Sequence, residues 1–302
     1  MFTFDLHCDT AFEMFKNKQD FLNNGLCVDL AKLTNLNQKI QTFAFWIDDI
    51  YSNDDAFSHF CDQYNYFLHK LKLNSDYIKL YDKTFEEKKL SAILSVENGR
   101  VLQGDIKKIA TLKKMGISFL SLVWNGENEI GSGMLGSGSL TDFGKQAVKE
   151  LENTNIIVDV SHLNERGFYD TCEIATKPLI ASHSNSAAVH DHPRNLSDEQ
   201  LNYIINNHGL CGINFYPLFV NGKSDCEFSD LTRHVEHILS LGGENILALG
   251  SDFDGALMPK SLNCVSGLEN YRDYMLKYYS EEIVMKIMYT NAKNFIDKNL
   301  TF

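Results

Sequence analysis

Residues 2–10 read "FTFDLHCDT". The apolar and β-branched run predicts a short strand. Asp5, His7 and Asp9 stand at alternate positions, which places them on one strand face. A single His-x-Asp pair carries little weight, because histidines with satisfied partners are common in protein cores. The question is whether other strands of this chain end in the same way.

Seven further segments read as strands: 42–47 (TFAFWI), 91–97 (SAILSVE), 117–124 (ISFLSLVW), 156–162 (IIVDVSH), 178–183 (PLIASH), 210–216 (LCGINFY) and 246–252 (ILALGSD). Helical patterns separate them. Phe143, Ala147, Val148 and Leu151 recur on one helix face. Ser197 opens another helix with Gln200 at its third position and Gly209 as its stop. Residues 231–241 have the same character. Strands alternating with helices predict a parallel sheet, and eight near-continuous apolar strands predict closure into a (β/α)8, or TIM, barrel. An open doubly wound sheet is the alternative, but no G-x-G-x-x-G follows the first strand. There is no Pro/Ser linker and no internal repeat. One domain over 1–302 is therefore expected, with a helical insertion at about 48–90 that contains "DDAFSHFCDQYNYFLHKLKL". The stretch "KTFEEKK" (83–89) reads as a solvated helix face of mixed charge.

The 302 residues are 44% hydrophobic and 23% charged, an ordinary globular balance. A formal net charge of −12 disfavours nucleic acid and anionic membranes as partners. Seven scattered cysteines without a C-x-x-C pair suit a reducing compartment. No apolar run approaches the length of a membrane span, and neither a leader nor a lipid-anchor signal is visible, so a cytoplasmic protein is expected. Cys8 lies between His7 and Asp9, on the opposite strand face, and is not expected to be a nucleophile.

The strand ends share one feature. The first ends in His7 and Asp9, the third in Glu97, the fifth in His162, the sixth in His183, and the eighth in Asp252 with Asp254 just after. In a barrel these ends open onto one mouth. So many carboxylates and imidazoles in one place require a counter-charge, and metal ions supply it. Three histidines and three acids exceed one tetrahedral shell, whereas two metals bridged by a carboxylate use them fully. Asp5, one step deeper, is expected to support a ligand. His59, His69, His208, His234 and His237 read as packing or surface residues. His190 and His192, in a loop near Arg194, read as surface or packing residues too, with a place at the border of the expected site as the alternative. The Gly-rich 131–139 (GSGMLGSGS) lacks the Gly-Lys-Ser/Thr of a P-loop and reads as a flexible loop at the mouth.

These residues resemble the membrane (renal-type) dipeptidases and their bacterial relatives, zinc peptidases of the amidohydrolase type. The likeness runs through "DLHCDT", "SVENG", "LTDFGKQAVKELE", "IVDVSHLNERGF", "PLIASHSNSAAVHDHPRNLSDEQL", "GINFYP" and "LGSDFDG". It implies two zinc ions per chain, one held by His7, Asp9 and Glu97 and the other by Glu97, His162 and His183, with Glu97 bridging and serving catalysis. It implies that Asp252 is the catalytic proton carrier, and that Arg194 holds the substrate carboxylate with Tyr216 nearby in the pocket. Where the renal enzymes carry a histidine after the fourth strand, this chain has Trp124 in "LVWNGEN". Asn125, or the metals, would then take over that role, and both residues are expected to meet substrate.

The function so implied is hydrolysis of free dipeptides by a metal-bridged hydroxide, including dipeptides with a C-terminal D-residue, in a cytoplasmic homodimer. Alternatives on the same site are an N-acyl-amino-acid deacylase or lactamase, or a metal-binding scaffold without turnover.

Overall fold

The computed structural model describes residues 1–33, 38–51, 55–84, 86 and 89–301. Parts of the expected insertion and of the 83–89 stretch lie outside the described residues. Strands and helices alternate: β1 (Phe2–Asp5), α1 (Thr10–Asn17), β2 (Gln38–Trp46), α2 (Ala56–Leu73), β3 (Ile78–Leu80), β4 (Leu90–Glu97), α3 (Lys107–Lys114), β5 (Ile117–Ser121), α4 (Asp142–Asn153), β6 (Ile157–Asp159), α5 (Glu165–Ile174), β7 (Ile180–Ala181), α6 (Asp198–Asn206), β8 (Leu210–Ile213), α7 (Pro217–Val220), α8 (Phe228–Ser240) and β9 (Leu247–Leu249). Helices α9 (Leu268–Met275), α10 (Glu281–Met285) and α11 (Asn291–Asn299) follow.

The pairings between these strands are parallel, in the order β2-β1-β9-β8-β7-β6-β5-β4, and β2 pairs with β4 to close the ring. This is the expected eight-stranded barrel. The short β3, which sequence reading missed, pairs with the start of β4 at Leu90–Ala92, outside the ring.

The barrel is filled. One buried residue from each ring strand joins a single inner cluster: Phe4, Ile40, Ile93, Phe119, Ile157, Ile180, Leu210 and Ala248. Ala292, Phe295 and Ile296 of α11, with Leu300, close that cluster from the base of the barrel. A larger cluster lies between the strands and the outer helices, where Phe45 meets Phe60 and Phe67 edge to face. The helix signals hold locally. Ser197 and Gln200 form the capping box of α6, and Ala147, Val148 and Leu151 are the buried face of α4. Among the described residues no helix is long and apolar enough to cross a membrane.

With α11 joined to the inner cluster at its base, the barrel has its mouth at the carboxyl ends of its strands. Replacing Ile296, which is fully buried at that base, with alanine is expected to lower the unfolding free energy by about 2–5 kcal/mol. Urea denaturation reads this directly. A cost below about 0.5 kcal/mol, the range of ordinary surface changes, would show that α11 does not seal the barrel.

Candidate metal centre and active site

Most of the expected ligands stand just past the strands. The regular part of β1 stops at Asp5, the chain bends at Leu6, and Leu6 packs with Phe4 in the inner cluster. The alternation read from the sequence therefore does not carry from Asp5 through to His7. Asp5 faces its own set of donors: Ser251 Oγ at 2.6 Å, Ser251 N at 2.9 Å and Gln41 Nε2 at 3.0 Å. His162 follows the end of β6 by three residues and His183 follows β7 by two. Asp252 follows β9 by three. Only Glu97 is itself strand-terminal, level with Trp46 on β2 and Ser121 on β5. His162 and Asp252 have φ of 72° and 64°, left-handed values that side-chain-bearing residues rarely adopt.

The side chains converge. His7 Nε2 lies 3.2 Å from Asp9 Oδ2, 3.5 Å from Glu97 Oε2 and 3.9 Å from Asp252 Oδ1. Glu97 turns its other oxygen, Oε1, to His162 Nε2 at 2.8 Å and to His183 Nε2 at 3.8 Å. The two carboxylate oxygens thus serve different histidines, as a bridging ligand would. Donors close enough to grip one ion form two triads, His7–Glu97–His183 and His7–Asp9–Asp252. They share His7, so the cluster is more continuous than two ligand shells joined through Glu97 alone. All of these residues are buried except Asp252, which is partly open. Asp9 sits at the N-cap of α1 without a capping bond from its side chain, which leaves the carboxylate to the site. Gly255 makes room: a Cβ there would stand 2.1 Å from Asp9 Oδ2.

Hydrogen bonds show whether this set suits a cation. Ser182 Oγ donates to Asp159 Oδ2 at 2.6 Å and so accepts from His183 Nδ1 at 2.8 Å. The Nε2 of His183 is then a lone pair. His162 Nδ1 faces Asn125 Oδ1 at 3.0 Å, and donation there leaves its Nε2 unprotonated as well. Those two Nε2 atoms are 2.9 Å apart and share the approach to Glu97. Lone pairs and a carboxylate oxygen aimed at one point repel unless a positive centre lies between them. The cluster fits a bound cation.

The electrostatics agree. Burial drives the His162 and His183 imidazoles well below their usual pKa, so both are neutral donors. Burial, and then the charge of Asp9, pushes Glu97 well above the carboxylate range. Burial also raises Asp252. Burial opposes charge on His7, but the carboxylates of Asp9, Glu97 and Asp252 outweigh it and raise its pKa to about 10.

Two clefts meet at His162. One, of about 880 Å³, is lined by Asp9, Glu97 and Asp252 and also by Trp124, Asn125 and Tyr216. The other, also about 880 Å³, is lined by Ser184, His192 and Arg194. Arg194 is buried, donates from Nη2 to His183 O at 3.3 Å, and packs its guanidinium 5.3 Å from the Phe219 ring centre. Its Nε has no partner among the described residues. His192 accepts from Arg194 N, and His190 stacks on His192. Asn125, expected to meet substrate, makes its bond to His162. The Gly-rich loop is pinned rather than loose: Gly133 N donates to Gly126 O at 2.7 Å, and Asn164 Nδ2 donates to Gly136 O and Gly138 O. Cys8 is buried, with a thiol pushed far above its usual pKa by burial, which removes it as a nucleophile. All seven cysteines are free thiols. His234 is a packing residue, bonded to Ser186 N and Val220 O.

Of the supports, sequence reading expected Asp5 and missed Asp159 and Asn214. Asp159 accepts from Ser121 Oγ (2.7 Å), Ser182 Oγ (2.6 Å), Ser182 N (3.0 Å) and Ser161 N (3.0 Å), binding three strand ends together beneath His162 and His183. Asn214 Nδ2 holds Asp252 Oδ2 at 3.0 Å. The available signal was an acid embedded in an apolar strand two or three residues before a ligand histidine, in both "FDLH" and "VDVSH". Asp159→Asn should release the His183 tautomer and weaken cation binding by about 10–100-fold. Zinc titration against a competing chelator measures it, and unchanged affinity would contradict the assigned support.

A protein of Klebsiella pneumoniae, the uncharacterized protein in the pqqA 5' region, is 33% identical over 219 residues, 68% of this chain and 81% of the relative. An uncharacterized dipeptidase of Schizosaccharomyces pombe is 28% identical over 198 residues, 63% of this chain and 47% of its own length, so the chain spans about half of that relative. Among solved structures, a metallo peptidase from Rhodobacter sphaeroides liganded with a phosphinate mimic of the dipeptide L-Ala-D-Ala superposes with a TM-score of 0.90 at 22% identity, covering 99% of both chains. The dipeptidase AC, a metallo peptidase of family M19, gives 0.92 at 23% identity, covering 99% of this chain and 98% of that one. These two identities speak for the fold. The family model "Membrane dipeptidase (Peptidase family M19)" matches residues 1–298. The chain belongs to the membrane dipeptidase family, peptidase family M19, and is a peptide-bond hydrolase.

Proposed function

We propose that this chain hydrolyses free dipeptides with two divalent cations, zinc in the first instance, held by His7, Asp9, Glu97, His162 and His183. The observation that carries the reading is the convergence of two unprotonated Nε2 atoms on one oxygen of Glu97, one cleft away from a buried arginine with an open Nε. Divalent cations held there would supply Lewis acidity toward the scissile carbonyl and lower the pKa of the attacking water.

The chain's own residues do the rest. Arg194 is held rigid by burial and by the His183 carbonyl, and its remaining donors suit a carboxylate. It selects substrates that end one residue beyond the scissile bond. Asp252 has one oxygen fixed by Asn214 and the other turned toward His7. With its affinity for a proton raised by burial, it takes the proton of the attacking water and returns it to the leaving amine. Asp9 and Asp252 share their cleft and favour a substrate ammonium on that side. Tyr216 borders the same cleft. The resemblance to a fold neighbour crystallised with an L-Ala-D-Ala mimic supports including dipeptides with a C-terminal D-residue. A cytoplasmic homodimer is the setting we propose from the family likeness. The charge of −12 supports small substrates over nucleic acid or membrane.

Zinc-loaded protein should cleave dipeptides and leave N-acyl-amino acids intact, and chelation should abolish turnover until zinc is restored. Cleavage of acyl amides alone would replace this reading with a deacylase, and no amide cleavage by metal-replete protein would leave a scaffold. Arg194→Ala should raise KM for dipeptides and retain bound zinc, and an unchanged KM would remove Arg194 from the site. Asp252→Asn should lower kcat by about 10²–10⁴-fold with zinc retained. A near-native kcat in that variant would exclude Asp252 as the proton carrier.

A further inference from the structure

Five aromatic side chains line the cleft that holds Asp9, Glu97 and Asp252: Phe12, Trp46, Trp124, Tyr216 and Phe219. Each is only partly buried. None of these rings belongs to either buried core cluster. We propose that this wall is the specificity determinant for the side chain of the substrate's N-terminal residue, and that the enzyme prefers an aromatic residue there. The proposal rests on the dipeptidase reading and sharpens it.

The direction of the substrate follows from the two clefts. Among their lining residues they share only His162. Arg194 Nε and Ser184 Oγ, both buried and without partners among the described residues, belong to the second cleft. A carboxylate bound at Arg194 places the C-terminal residue on that side. The N-terminal residue then falls in the aromatic cleft, whose acidic lining favours its ammonium.

The wall is pre-formed. Trp46 ends β2 level with Glu97, and Gln63 Nε2 holds its carbonyl at 2.8 Å. Its ring meets Phe12 edge to face at 4.8 Å and Trp124 at 5.0 Å. Trp124 is fixed by its neighbour Asn125, which bonds to His162, and by Gly133, which approaches the Trp124 carbonyl so closely that a Cβ would stand 1.9 Å from it. Rigid rings stacked edge to face leave their outer faces for a guest ring, and such a guest buries about 150–250 Å². At the mouth, Glu13 and Lys16 pair at 2.9 Å, so the rim offers neither charge alone to a charged side chain.

The test is kcat/KM of the zinc-loaded full chain on dipeptides sharing one C-terminal residue and carrying Gly, Ala, Leu or Phe at the N-terminus. Phe is expected to exceed Ala by about tenfold or more, since a filled apolar pocket gains at least that over a methyl group. Trp46→Ala should bring the ratio close to one, and Trp124→Ala should lower it in the same direction. Phe12→Leu, a milder change, supplies the comparison if either tryptophan variant fails to fold. A flat or inverted order in the native enzyme, or a preference that survives the substitutions, overturns the wall as the determinant and leaves the dipeptidase reading standing. Failure to cleave any dipeptide would overturn both.

Discussion

Glu97 is the point on which the molecule turns. It is a carboxylate at the end of a buried strand, with each oxygen facing a different set of imidazole nitrogens. Such a group cannot be left ionised among Asp9 and Asp252 without positive charge, and burial makes the conflict worse. Every other feature of the mouth follows from meeting that demand. The histidines present lone pairs to it, the left-handed turns at His162 and Asp252 aim side chains inward, and Gly255 has no side chain because Asp9 needs the space.

The ligands stay aimed because a second layer of acids holds the strand ends. Asp159 gathers donors from the ends of β5, β6 and β7. Asp5 does the same for β1, β2 and β9, through His7 N, Gln41 and Ser251. These two carboxylates are buried and paired with neutral donors. They fix a polar layer above the apolar plug of the barrel, and the chemistry sits on top of it. The vertical order is therefore α11, the inner apolar cluster, two strand-pinning aspartates, the ligand cluster, and the aromatic and arginine-lined clefts.

The architecture was legible in the sequence because each strand buries both faces and so appears as an apolar run, and because helix periods and caps punctuate it. The ligand residues were legible because His and Asp stand out against those runs. Exact strand ends were not, since the bend at Leu6 is bonded to Leu249, and Ser161, just before the left-handed turn at His162, meets Ser182, partners distant in sequence. For the same reason Asp5 could be suspected as a support but Asp159 was missed, and nothing in the sequence shows that Asn125, which lines the cleft, also bonds to His162. The pinned Gly-rich loop looked loose because its restraints come from Asn164 and Gly126. The strand β3 is too short to announce itself.

A crystal structure grown with ample zinc, with anomalous differences collected at the zinc edge, tests most directly whether Glu97 bridges two cations. Two peaks are expected, one among His7, Asp9 and Glu97 and one among Glu97, His162 and His183, with Glu97 touching both. Well-ordered side chains bonded only to one another, and no anomalous peak among them, would contradict that bridge.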